Sequence, residues 1–260
     1  MEKLIIGSVY TSGEMSEFWY ETQMNFIEKY TSNFEHVVFS NNSNVDFRKS
    51  KVIGRYYKDE TNSENGTDQS RNHALGVKRI FDYFRKNPHR NCLLLDCDCF
   101  PVAEEWEKKL LLQVAKAKYY RPKIAAPIRV ENLDMFPHPC AMFFVRNSIK
   151  EDWVDNFFSG GNKTMIQQKI VDNGCGYPLE FCYPLIRSNT VNLHPFFGAI
   201  YNHLFYHHGA ATRSLMPRVV RQNYFGHYME EEEHEKIKNE ITERVKKDPE
   251  KLMKLLMYNE

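Results

Sequence analysis

Residues 92–96 read Cys92-Leu93-Leu94-Leu95-Asp96, an unbroken apolar run that ends in a carboxylate, and a second carboxylate, Asp98, follows one residue later. A run with no polar alternation predicts a strand buried on both faces, and such a strand needs helices on either side of its sheet. Helical spacing is present on both flanks. Phe18, Tyr20, Met24, Ile27 and Tyr30 recur at that period after a plausible N-cap at Ser16, and Ala74, Val77, Ile80, Phe81 and Phe84 mark a second helix ending near Pro88. Leu4 to Val9, His36 to Phe39, Lys51 to Tyr57, Lys123 to Val130 and Cys140 to Val145 predict further strands, and Glu104 to Lys118 a helix with acids at its start and lysines at its end. Strands alternating with helices predict an α/β fold, a Rossmann-related and mostly parallel sheet flanked by helices. Such sheets present ligands at the carboxyl ends of their strands.

The second half is less regular. Helices are predicted at Ile149 to Phe158 and Lys163 to Asp172, followed by a Gly/Pro/aromatic stretch to about Gly209. Glu230 to Met257 predicts two helical pieces divided by Pro249, packed through Ile237, Ile241, Val245, Leu252, Leu255 and Leu256, with the charge run Glu-Glu-Glu-Glu-His-Glu-Lys as a solvated face. The chain has 260 residues, 42% of them hydrophobic, enough for one large domain with an appendage. Its 35 basic and 34 acidic side chains leave a net charge of +1, which gives no field to gather polyanions, so nucleic acid is not the expected partner. Six cysteines without a paired Cys-x-x-Cys arrangement predict buried free thiols. A zinc half-site from Cys92, Cys97 and Cys99 is disfavoured, because strand alternation turns Cys97 away from the two aspartates. The start at Met1-Glu2-Lys3 lacks a leader-like apolar segment and no long apolar run follows, so a cytoplasmic location without an integral membrane segment is expected.

Asp96 and Asp98 carry the chemistry. Alternation puts both carboxylates on one side of the chain as it leaves the buried strand. Two like charges held there are costly unless a cation neutralises them. Oxygen ligands suit Mg²⁺ or Mn²⁺, ions that commonly bridge a carboxylate and substrate phosphates. The bland reading, in which the aspartates cap a helix or pair with basic side chains, explains less of the strand that delivers them.

The stretch from Asp68 to Phe100 runs polar loop, Ser70-Arg71-Asn72, amphipathic helix, carboxylate strand. It resembles the donor-binding half of the GT-A glycosyltransferases, particularly family-2-like enzymes, in which an Ala/Ser-Arg-Asn segment opens the helix before the Asp-x-Asp strand. The likeness follows the order of elements over residues 4–146. It implies a GT-A-like domain over residues 1–226, with about 1–103 binding a nucleoside-diphosphate sugar and about 104–226 facing the acceptor, and a helical extension over 227–260. It also implies transfer of a hexose or deoxyhexose to a glycan or other hydroxyl acceptor, with Mn²⁺ or Mg²⁺ as cofactor. Asp98 would ligate the metal, Asp96 would touch the ribose or metal-bound water, and Arg71 with Asn72 would lie at the donor diphosphate. Thr11 and Ser12, after the first strand, would lie near the base and ribose. A guanidinium at a helix start suits phosphate oxygens in its own right.

A late histidine completing the metal site is a further implication, and Phe205-Tyr206-His207-His208-Gly209 supplies two candidates, with His208 slightly preferred beside the glycine. Arg213 would neutralise the leaving diphosphate. An inverting transfer needs a carboxylate to take the acceptor proton. Asp172 is favoured and Glu180 stays open, since the more common Glu-Asp pair is missing and a retaining course remains admissible. His138 and Cys140 are expected at the acceptor pocket, and Trp106 and Trp153 as packing residues. The alternatives are a phosphohydrolase of the haloacid-dehalogenase type, whose Asp-x-Asp normally sits near the N-terminus and continues with Thr or Val, and a nucleotidyltransferase, whose basic glycine-rich loop is absent after the first strand. A nucleotide-sugar-binding protein without turnover is the third.

Overall fold

The structure, a computed structural model, describes residues 3–41, 43–56, 69–117, 123–129, 134–149, 182–209 and 231–260. Its strands are β1 (Leu4–Thr11), β2 (Phe34–Asn41), β3 (Lys51–Tyr56), β4 (Cys92–Asp96), β5 (Cys99–Pro101), β6 (Ile124–Arg129), β7 (Asp134–Pro137), β8 (Ala141–Phe144), β9 (Cys182–Leu185), β10 (Ala199–Tyr201) and β11 (Phe205–His207). Its helices are α1 (Ser16–Tyr30), α2 (Gln69–Arg85), α3 (Trp106–Lys116), α4 (Glu231–Lys247) and α5 (Pro249–Tyr258).

The main sheet has eight strands in the order β3-β2-β1-β4-β8-β6-β7, with β9 also on β6. Strands β3, β2, β1 and β4 are mutually parallel, and β8 runs against both β4 and β6. The result is the expected mostly parallel α/β sheet, with β8 and β7 as its reversed members.

Two-residue periodicity explains why both faces are dry. On β1, Leu4, Ile6 and Tyr10 join Leu93 and Leu95 of β4 beneath α1 and α3, where Tyr20, Met24, Ile27, Trp106, Leu110 and Val114 cover them. Ile5, Val9, Cys92 and Leu94 face the other way, onto Val77, Ile80, Phe81 and Phe84 of α2. Gly7 allows that close approach, because a Cβ there would stand 2.4 Å from Ile80 Cγ2 and 2.9 Å from Phe84 Cζ.

Beyond Asp96 the chain leaves this sheet at once and enters a second, three-stranded sheet in the order β10-β11-β5. The terminal helices cover it. Ile241, Val245, Leu252 and Leu256 close a core with Trp19, Phe100, Ile200 and Tyr206. The break between the helices falls where expected, with Asp248 accepting from Lys251 N at 2.9 Å and Pro249 opening α5. Two local expectations change. Met15, not Ser16, occupies the N-cap position of α1, without a side-chain cap, and the Ser16 hydroxyl donates to Thr11 O at 2.7 Å. The stretch read as irregular holds β9, β10 and β11. The helices expected over 149–158 and 163–172 lie outside the described residues except at Ile149, which is not helical. No helix among the described residues is long and apolar enough to cross a membrane.

Candidate metal and donor site

Asp96, Cys97 and Asp98 form the turn by which the chain passes from the large sheet to the small one, and its backbone is tied to both. Asp96 N donates to Cys140 O at 3.0 Å, and Asp98 O accepts from His208 N at 3.0 Å. A third tie comes from α1. Gln23 is fully buried, and its Nε2 donates to Asp96 O at 2.8 Å and to Cys99 O at 2.7 Å. Its Oε1 accepts from Ser8 Oγ at 3.0 Å and from the Tyr10 hydroxyl at 2.8 Å. One amide thus uses all four of its hydrogen-bonding positions to hold both ends of the acidic turn.

Donor atoms of Asp96, Asp98 and His207 all lie within 4.8 Å of one another. His207 Nε2 is 3.9 Å from Asp96 Oδ2 and 3.7 Å from Asp98 Oδ1, and the His207 and Asp98 side chains are only 5% and 6% exposed. At that depth two carboxylates need positive charge close by. Burial works against protonating His207, but Cys140, Asp98 and Asp96 around it raise its pKa above the ordinary imidazole value. Its Nδ1 is buried without a hydrogen bond from the described residues. Oxygen, oxygen and imidazole nitrogen converging at this spacing fit a divalent cation of the Mn²⁺ type.

It is His207, not the slightly preferred His208, whose ring reaches the carboxylates. Successive side chains on a strand point to opposite faces, and only one of two adjacent histidines can share the aspartates' side. His208 Nδ1 meets the Tyr206 hydroxyl at 2.9 Å, and Nε2 meets Thr242 Oγ1 at 3.0 Å. The ring lies 4.7 Å from that of Trp19, and burial, with His207 and Lys238 nearby, lowers its pKa to about 3.

Thr11 ends β1 two residues beyond Val9, which is opposite Asp96 in register, so Thr11 and the exposed Ser12 come to the carboxyl edge that carries the acids. Arg71 and Asn72 belong by backbone to the first turn of α2; their side chains lie outside the described part. The next residue, His73, brings that turn to the site, with Nε2 3.4 Å from Asp96 Oδ1. Asp172, Glu180, Arg213 and Trp153 lie outside the described residues. The His138 ring lies 6.0 Å from that of His207, tilted by 43°, and accepts from Cys140 N at 3.3 Å, while Arg129 Nη1 lies 3.3 Å from its Nε2. Trp106 is a packing residue, as expected, with Nε1 donating to Thr31 Oγ1 at 2.9 Å. The described cysteines are free thiols, buried except for Cys97, and none belongs to the metal-ligating group; Cys175 lies outside the described residues.

Gln23, His73, Lys238 and Thr242 did not stand out in the sequence. Gln23 and His73 had one signal, a polar side chain in phase with the apolar face of its helix. Lys238 is half-buried, and burial lowers its pKa against the opposing pull of Glu235 and Asp98.

No family model matches the chain, and no curated protein matches it. Solved structures with a similar arrangement include the bifunctional glycosyltransferase WbbM, at TM-score 0.41 and 11% identity over 71% of this chain and 39% of that one. Another is the glycosyltransferase GlyE of Streptococcus pneumoniae, at TM-score 0.42 and 12% identity over 71% of this chain and 45% of its own. A third is the galactosyltransferase LgtC, solved with donor and acceptor sugar analogues, at TM-score 0.38 and 10% identity over 69% of this chain and 72% of that one. The chain spans less than half the length of WbbM and of GlyE. Likeness this distant does not carry an activity across, and none of these names bears on the family-2-like detail. What the molecule defines by itself is an α/β sheet with an acidic, histidine-completed cluster at the carboxyl end of its central strand.

Proposed function

We propose that the chain is a divalent-metal-dependent glycosyltransferase that uses a nucleoside-diphosphate sugar. The observation that carries this reading is the convergence of Asp96, Asp98 and His207 at the mouth of a buried parallel strand. Asp98 and His207 would hold the cation and Asp96 would hold it directly or through water. A cation there supplies positive charge to the donor's diphosphate and to the nucleoside diphosphate as it leaves. The single imidazole favours Mn²⁺ over Mg²⁺, which prefers oxygen ligands. In this reading the first turn of α2, with Arg71 and Asn72, faces the same phosphates, where a helix N-terminus is favourable to anions. Thr11 and Ser12 lie toward the nucleoside. Arg213 balances charge on the leaving group, and Asp172, or failing it Glu180, takes the acceptor proton in an inverting displacement.

A thermal-shift series with nucleoside diphosphates and nucleotide sugars, with and without Mn²⁺, tests this. Binding at a concentration 100-fold above Kd stabilises the fold by about 2.7 kcal/mol, so a selective ligand raises the melting temperature only when Mn²⁺ is present. Asp98→Ala is expected to abolish that shift; an undiminished shift in this variant removes the site assignment. Asp172→Asn is expected to lower transfer with donor affinity kept, and a negligible rate effect moves the base to Glu180 or to a retaining scheme.

A second reading draws on Lys238. Asp98 favours the charged form of its ammonium although burial outweighs that pull, and in this reading the lysine, rather than a metal, balances the acids. A protein that binds nucleotide sugar equally well after chelation would favour it. Mg²⁺-dependent hydrolysis of a simple phosphate ester, lost on changing Asp96 alone, would instead favour a phosphohydrolase.

A further inference from the structure

Helix α4 is joined by hydrogen bonds to the residue that follows His207. Thr242 Oγ1 donates its one hydrogen to Lys238 O at 2.8 Å, so toward His208 Nε2, at 3.0 Å, it must accept. The proton of the His208 ring therefore sits on Nε2, and Nδ1 offers a lone pair to the Tyr206 hydroxyl at 2.9 Å. The Trp19 ring packs against that of His208, tilted by 45°, with centroids 4.7 Å apart. The backbone of the same residue is held on both sides, its N–H on Asp98 O and its carbonyl on Gly198 N, each at 3.0 Å.

This bracing matters because β11 is only three residues long, Phe205–His207, and pairs with β5, the strand that begins one residue after Asp98. So short a strand does little to fix the direction of its last side chain. The anchoring of residue 208 from the terminal helix does.

We propose that Thr242 is a positioning residue of the metal site. Through His208 it fixes the end of β11 so that His207 and Asp98 present their donor atoms to one cation. This rests on the reading of the acidic cluster as a metal site. The terminal helix is then a working part of the centre as well as a cover for the small sheet.

The test is Mn²⁺ titration of the full chain followed by electron paramagnetic resonance, with nitrogen hyperfine coupling as the signature of His207 ligation. Thr242→Val removes the hydroxyl at nearly constant volume, and Thr242→Ser restores it. Groups that orient metal ligands typically alter affinity 10- to 100-fold, so T242V is expected to bind Mn²⁺ about tenfold more weakly, with diminished nitrogen coupling, and T242S as the parent does. T242V binding like the parent overturns the proposal, and so does T242S binding as poorly as T242V. Should T242V fail to fold, Tyr206→Phe breaks the chain on the other side of His208: weakened Mn²⁺ binding supports the proposal, and unchanged binding overturns it. A parent chain that takes up no Mn²⁺ overturns the metal reading, and this inference with it; the failures of T242V, T242S or Y206F against a Mn²⁺-binding parent leave the metal reading standing.

Discussion

The amide of Gln23 ends a relay that starts at Tyr20, one turn earlier on the same helix. The Tyr20 and Ser50 hydroxyls are 2.9 Å apart, Ser50 Oγ is 2.7 Å from His36 Nδ1, and His36 Nε2 is 3.2 Å from Ser8 Oγ, which donates to Gln23. Replacing Gln23 by Leu removes the partner of the carbonyls of Asp96 and Cys99 and of the Tyr10 hydroxyl in the core, while Ser8 keeps His36. Unpaired buried groups cost about 1 to 3 kcal/mol each, partly relieved by relaxation, so Gln23→Leu is expected to destabilise by on the order of 3 kcal/mol. Urea denaturation measures this; a loss within about 0.5 kcal/mol would mean that the amide does not clamp the turn. His36 has a different consequence. Burial lowers its pKa to about 3, while in the unfolded chain it titrates near the ordinary 6.5. Between those values the unfolded state binds the extra proton, so the stability His36 contributes is fully present above about pH 6.5 and is lost as pH falls toward 3. The slope from this one group approaches about 1.4 kcal/mol per pH unit. Denaturation at pH 7 and pH 5 is expected to show that loss in the parent and a smaller one in His36→Gln; equal losses would contradict it.

Helix α2 is placed by two glycines at its contact with β1. A Cβ on Gly7 would meet Ile80 Cγ2 at 2.4 Å, and one on Gly76 would meet Val9 Cγ1 at 2.7 Å. The helix thus sits close on the strand, which is what brings His73 within 3.4 Å of Asp96. Gly7→Ala is expected to push α2 outward, at about 1 to 3 kcal/mol of overpacking, and to weaken Mn²⁺-dependent nucleotide binding as its first turn moves. Chemical denaturation and the thermal-shift series read the two effects separately. Weaker folding with intact ligand binding would show that the position of α2 is not critical to the site. The short strands are shared between two cores. β10 and β11 have three residues each; Ile200 and Tyr206 pack in the aromatic core under α4 and α5, and Ala199, Tyr201 and Phe205 in the core of the main sheet.

Across the molecule, the parallel half was legible because its signals are local and redundant. An apolar run such as Leu93-Leu94-Leu95 can only lie between two covered faces, and α1, α2, α4 and α5 each show their buried stripe in the sequence. The stretch over 182–209 was not, since β9, β10 and β11 have only three or four residues and carry too few alternations to be read, and β9 reaches β6 only through long-range pairing. The acidic pair was legible for the same reason as its strand. The choice between His207 and His208 was not, because adjacency in sequence does not say which of two alternating side chains faces the acids. That depends on the register of His207 opposite Cys99, a tertiary fact. Thr242 lay further still from reach, being a polar residue on a helix that otherwise reads as charged and aliphatic.

The central claim, that Asp96, Asp98 and His207 hold one divalent cation, is met most directly by anomalous diffraction at the manganese edge from crystals grown with Mn²⁺ and a nucleoside diphosphate. A single strong peak among the two carboxylates and the imidazole, in contact with the phosphates, is the expected result. An empty cluster with the Lys238 ammonium between the carboxylates, or a peak elsewhere on the chain, would contradict it.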